Sequence, residues 1–325
     1  MDLPDESQIR WILRTIAALL QHGAEPVHGL VQPTTEFFPD PYDGSPKAVA
    51  ALMLRVQEHA GLQDLEVELA VVTPEGQAST VSCSSGACGG MPLSTKLERV
   101  ARRDDGGYRV ALSAGELRNP TVLTTALVRA VSFMFLSEAC AFDELVPPDR
   151  EPAVDLAAVM LGFGVLVANG SYLYAKGCGG VQVHSATKMP VDELALALAV
   201  YCRLHGVPDR IAARHLDVTP RAHFDESAVW ASSNAALVRM LRAAPERIAA
   251  DDFVIGASRS WLARALGLGK RRPSRTPEDD LRELERALSR VDEGAAGAAR
   301  PRPLDESKAK ELAEIRALVD ESLGS

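Results

Sequence analysis

Thr121–Asn169 reads TVLTTALVRAVSFMFLSEAC (121–140), AFDELVPPDREP (141–152) and AVDLAAVMLGFGVLVAN (153–169). Apolar residues recur at helical spacing in the first and third segments, which predicts two helices. The acidic, proline-marked segment between them predicts a loop ending in a helix start, with the second helix beginning at Glu151 and Asp155. A pair of apolar helices must be covered by other elements, so the rest of the chain is read as what packs around it.

Upstream, LEVELAVV (65–72) alternates apolar and acidic residues and predicts a half-buried strand. TPEGQ (73–77) is a turn, Ser79–Ser82 a candidate second strand, and DDGGYRVALSAGEL (104–117) a turn followed by a third strand, Tyr108–Leu112. Further upstream, Ile9, Ile12, Leu13, Ile16, Leu19 and Leu20 predict a helix capped by Ser7 or Asp5 and stopped at Gly23. Residues 30–46, rich in proline and aspartate, predict an extended loop. Ser45 and Pro46 then open a second helix, Lys47–His59, which stops at Gly61.

Downstream, SYLYAKGCGGVQVHSATKMP (171–190) reads as irregular, and VDELALALAVYCRLHG (191–206) as a helix. A short helix follows at Asp209–His215 and a longer one at Asp225–Ala244. RSWLARALGLGKRRPSRTPEDD (259–280) carries a basic run. EGAAGAARPRPLDE (293–306) reads as a linker between amphipathic patterns at Pro277–Val291 and Asp305–Leu323. Residues 270–303 offer little to bury, while Leu312, Ile315, Leu318, Val319 and Leu323 form an apolar stripe.

Over 325 residues, 46% hydrophobic and 24% charged content describes a globular chain with a substantial core. A net charge of −9 opposes binding to nucleic acid or to an anionic membrane. The N-terminus places acids first and lacks a basic signal-peptide region, and the apolar run Leu156–Ala168 is too short to span a bilayer. The expectation is a cytoplasmic protein with neither a nucleic-acid nor a membrane partner.

Four landmarks carry a family resemblance: PTTEFFPDPYDGSP (33–46), LVRAV (127–131), DLAAVMLGFGVLVAN (155–169) and MPVDELALALAVYCRLHGVP (189–208). Their order, over Pro33–Trp230, resembles a bacterial zinc metallopeptidase family of the zincin type, similar to gluzincins. Such enzymes hold zinc through H-E-x-x-H on a helix, with the glutamate acting as base toward the metal-bound water. The resemblance puts that motif at Phe133, Met134, Phe135, Leu136 and Ser137, none of which supplies the imidazoles or the base. It also makes Glu151 the third-ligand position and Asp155 its hydrogen-bonded support. A competing reading makes these two residues the acids favoured at any helix N-terminus.

Apolar replacements at 133–135 suit a vacated site, because packing substitutes for metal bonds and unpaired polar groups are avoided. The expected fold is α+β and zincin-like, mainly helical with a small N-terminal β-sheet. Its expected parts are helices and a loop at 1–62, a degenerate metallopeptidase-like core at 63–258, and a basic linker with C-terminal helices at 259–325. The expected function is non-catalytic and without a cofactor: a regulatory or scaffolding component that binds another protein.

The alternative is a metal-dependent hydrolase whose zinc site has moved. Cys83 and Cys88 have C-x4-C spacing, which is half a zinc site that Cys178 or a histidine could complete. Ordinary loop thiols, or a Cys83–Cys88 disulfide, account for the same spacing. Cys140 and Cys202 lie in apolar patterns and read as buried small hydrophobes. None of the seven histidines forms an i, i+4 pair, and a site from His205, His215 and His223 would need three separate segments to converge. No G-x-S-x-G, G-x-x-x-x-G-K-[ST] or G-x-G-x-x-G occurs.

Overall fold

The computed structural model describes residues 3–72, 99–177 and 180–256. They all belong to the first of two compact units, Met1–Arg271 and Arg272–Ser325. The fold is α+β: helices dominate, and a small sheet precedes the central helices.

Local signals explain the first three helix starts. In α1 (Glu6–Gln21), Asp5 accepts from the Gln8 amide and the Gln8 side chain accepts from the Asp5 amide, a reciprocal box. In α2 (Pro46–Ala60), Ser45 caps the Ala48 amide, Pro46 opens the first turn, and Gly61 ends the helix at φ +71°. In α3 (Pro120–Glu138), Asn119 accepts from the amides of Thr121 and Val122.

Strands β1 (Val67–Val72), β2 (Val100–Arg102) and β3 (Tyr108–Ser113) form a sheet in the order β1-β3-β2. β1 runs parallel to β3, and β2 pairs antiparallel with it through the turn around Gly106. β2 was not anticipated, because three residues are too few to show a period. The strand expected at Ser79–Ser82 lies outside the described residues, as do the C-terminal basic run, linker and helices.

The central pair is longer and more continuous than its sequence suggests. Residues 141–146 hold one 3₁₀ turn, Ala141–Glu144, and α4 (Pro147–Ala158) starts four residues before Glu151. Pro147 and Pro148 lie in its first turn, where a missing N–H costs nothing, so prolines that read as a break instead open the helix. A π-turn at Val159–Phe163 leads into α5 (Gly164–Gly170). Gly162 within it has φ +99°, and its carbonyl accepts from the Val31 amide at 2.9 Å. A Cβ there would overlap the Gly29 carbonyl oxygen, so only glycine lets the α1–α2 connection approach this closely.

This continuity corrects the bilayer reading. Pro120–Glu138 and Pro147–Gly170 both have the length and composition to cross a membrane. The most apolar window of the second is wholly buried in protein and that of the first is 67% buried, so here both serve as core helices.

Two further stretches differ from expectation. Residues 171–190 are not irregular throughout, since β4 (Leu173–Gly177) and β5 (Gly180–His184) form an antiparallel hairpin. The helix expected at Asp225–Ala244 is two helices, α8 (Val218–Ser233) and α9 (Ala235–Ala243), broken at Asn234. The Asn234 amide side chain bonds Trp230 O and both backbone groups of Gly256, which fixes the break.

α6 (Val191–Leu204) is buried from Leu194 to Cys202 and packs on α8. α7 (Asp209–Ala213) and α10 (Pro245–Ala249) are single turns that complete the bundle. One hydrophobic core joins α1 and α2 to α3–α6 and α8–α10, through residues such as Ile12, Met53, Leu127, Phe163, Leu198 and Phe224.

Candidate functional site

α3 is apolar or uncharged from Pro120 to Ser137 except at Arg129. Residues 129, 133 and 137 follow at four-residue spacing and so share one side of the helix. A charge in such a helix must be paired if it is buried, and Arg129 is only 9% exposed. Its partners come from α4. Arg129 Nε donates to Asp155 Oδ1 at 2.5 Å, and a terminal nitrogen donates to Glu151 Oε2 at 2.8 Å.

Asp155 is wholly buried, and its Oδ2 accepts from the backbone amides of Lys188 (2.7 Å) and Met189 (2.9 Å). One carboxylate therefore ties α3, α4 and the strap before α6. Burial pushes the Asp155 carboxyl above its ordinary range, while the Arg129 charge and the two backbone donors pull it back. All three partners donate, so Asp155 serves them as a carboxylate. Burial also works against the Arg129 charge; Asp155, then Glu151, outweigh it and raise the guanidinium above its ordinary value.

The Glu151 side chain is 56% exposed, so its arm of the pair is the weaker one. Because α4 begins at Pro147, Glu151 is not in the first turn, where the acid is Asp149. The dipole reading of Glu151 and Asp155 therefore fails, and their partner is Arg129.

Positions 133–137 divide between core and rim. Met134 is fully buried. Phe133 and Phe135 are half-buried against the core, and the Phe133 ring sits 4.8 Å from that of Phe142. Ser137 Oγ donates to the Phe133 carbonyl one turn back, at 3.0 Å. At the end of α3, Glu138 accepts from Tyr108 Oη at 2.5 Å and pairs with Arg102 at 3.3 Å. Burial, then Glu138, pushes the Tyr108 phenol up to about 12.

Cys202 is buried, and burial pushes its thiol up to about 12. Cys140 is not buried as expected. It follows α3 in the left-handed region (φ +55°) and is exposed, because the helix ends two residues earlier, at Glu138. Cys83, Cys88 and Cys178 lie outside the described residues. His205, His215 and His223 do not converge: among the described residues no group of three His, Cys, Asp or Glu side chains is placed to hold a metal ion.

The sequence reading singled out Glu151 and Asp155 but not Arg129, Lys188 or Met189. The lone charge between Pro120 and Ser137 was the available signal for Arg129. Backbone donors such as the last two leave no mark in a sequence. Chemically the cluster is a tie, in which Arg129 Nε, one of its terminal nitrogens and the amides of Lys188 and Met189 all donate to the two carboxylates. Compared with protein-family models, curated proteins and solved structures, the chain has no match in any of the three.

Proposed function

We propose that the chain is a non-catalytic, zincin-like metallopeptidase relative that acts by binding another protein, as a regulatory or scaffolding component. The observation that carries this reading is Arg129. Its guanidinium engages the two α4 carboxylates, Glu151 and Asp155, that the family layout would assign to the metal and its support. A guanidinium here supplies one fixed positive charge to both carboxylates, and it has no coordination position for water. Met134, at the position of the base, is enclosed in the core and carries no titratable group. The binding half of the proposal rests on sequence, namely the basic run at 259–280 and the apolar stripe Leu312, Ile315, Leu318, Val319 and Leu323. The proposed setting is cytoplasmic.

The catalytic half is tested on purified full-length protein by elemental analysis and by cleavage of an unstructured protein with and without added zinc. Substoichiometric zinc and no zinc-dependent cleavage are expected. Near-stoichiometric zinc would overturn the reading and favour the relocated site at Cys83, Cys88 and Cys178. The binding half is tested by affinity purification from the native host, comparing the full chain with an Ile315→Asp/Leu318→Asp variant. A stoichiometric protein partner held by the first and lost by the second is expected, and no such partner with either chain refutes it.

A further inference from the structure

His205 ends α6 with a side chain only 10% exposed, and its two ring nitrogens have opposite surroundings. Nδ1 faces two charged groups, Arg242 of α9 at 3.4 Å and Glu25 of the α1–α2 connection at 3.7 Å. Arg242 also donates to both Glu25 oxygens at 3.2 Å. Among the described residues Nε2 is buried without a hydrogen-bond partner, and so is the hydroxyl of Tyr201, one turn back, whose ring lies 4.4 Å from the imidazole. The other charged groups near this end of α6 are occupied elsewhere: Arg203 is held by Asp209 of α7 and Ser232 of α8.

An arginine can only donate, so its contact makes Nδ1 an acceptor and puts the ring proton on Nε2. The imidazole is therefore neutral in this arrangement. A proton added at Nδ1 removes the lone pair that Arg242 uses and sets two cations 3.4 Å apart. The same proton gives Glu25, already at 3.7 Å, a new charged partner.

We propose that His205 is a proton-operated latch, in which Glu25 exchanges Arg242 for His205 on acidification and α9 loses its tie to the α1–α2 connection. Burial, reinforced by Arg242 and opposed by Glu25, lowers the His205 pKa below 6.5. The folded protein thus binds this proton less readily than the unfolded chain. The latch's contribution to stability is complete above pH 6.5 and is lost as pH falls through the folded pKa.

The test uses the full chain. Nitrogen-15 NMR of the imidazole follows the titration, and hydrogen exchange of the Ala235–Ala243 amides, corrected for intrinsic rates, follows α9. Protection of α9 is expected to fall several-fold on acidification in the parent protein and to stay level in His205→Gln. The exposed partners give an arm that does not depend on that variant folding: Arg242→Met is expected to move the titration to higher pH and Glu25→Gln to lower pH. A titration that neither substitution moves, or α9 exchange with the same pH dependence in His205→Gln as in the parent, overturns the latch.

Discussion

Replacing Arg129 by methionine keeps an apolar stem of similar length in the core and removes the guanidinium. Asp155 is then left wholly buried with two backbone donors and no cation. Breaking a buried ion pair from one side costs about 3–5 kcal/mol. The Glu151 arm adds little, since that side chain is 56% exposed and such pairs contribute about 0–1 kcal/mol. For a domain of this size a loss of this order lowers Tm by roughly 6–20 °C. Urea unfolding monitored by circular dichroism measures it directly. Glu151→Gln, as the internal control, is expected to cost at most about 1 kcal/mol. The loss also has a sign in pH. Burial already raises the Asp155 pKa, and without Arg129 it rises further. A carboxyl whose folded pKa is raised favours the folded state at low pH and loses that advantage as pH rises through it. The deficit of Arg129→Met against the parent should therefore shrink toward acid pH and grow toward neutrality. A deficit below about 1 kcal/mol at neutral pH, or one that deepens on acidification, would refute the view that the Arg129–Asp155 pair holds α3, α4 and the strap before α6 together.

Gly162→Ala is expected to destabilise by about 2 kcal/mol or more, from a strained positive φ and the overlap with Gly29; an effect within about 0.5 kcal/mol in the same unfolding assay would contradict the packing of the α1–α2 connection on the π-turn. Glu193, in the first turn of α6, is pushed up to about 7 by burial, with Asp192 and Asp5 adding to it. Its folded form thus loses stability as pH rises from about 4.5 to about 7, so Glu193→Gln should raise Tm at pH 8 and leave it unchanged at pH 4. The triple variant Phe133→His, Met134→Glu and Ser137→His is expected neither to bind zinc stoichiometrically nor to cleave an unstructured protein. It buries a carboxylate at a fully enclosed position while Arg129 still holds Glu151 and Asp155; zinc-dependent cleavage would show a fold still poised for catalysis.

Helix signals with a local cause were legible along the chain. Ser45-Pro46 with Gly61, and the apolar spacing of 191–204, place α2 and α6 to within two residues. Such signals act over one or two turns, so neighbouring residues suffice to read them. Pro147-Pro148 misled because a proline looks the same at a break as in a first turn, and only the path of the following chain tells the two apart. β2 escaped because three residues are too few to show a period, and the division of α8 from α9 at Asn234 because its partner, Gly256, lies 22 residues on.

In the candidate site the sequence by itself determined the cast: one charge within the apolar run 120–137, two acids four apart on the next helix, and no imidazole or base at 133–137. Only the tertiary structure decided their pairing. Residues 129 and 155 are separated by 26 positions, and the amides of Lys188 and Met189 stand 33 and 34 positions beyond Asp155. A carboxylate buried in protein must collect its donors wherever the fold delivers them, and backbone amides are the same at every residue but proline. The side chains that need partners are therefore written in the chain, while the partners that answer them emerge only when the helices pack.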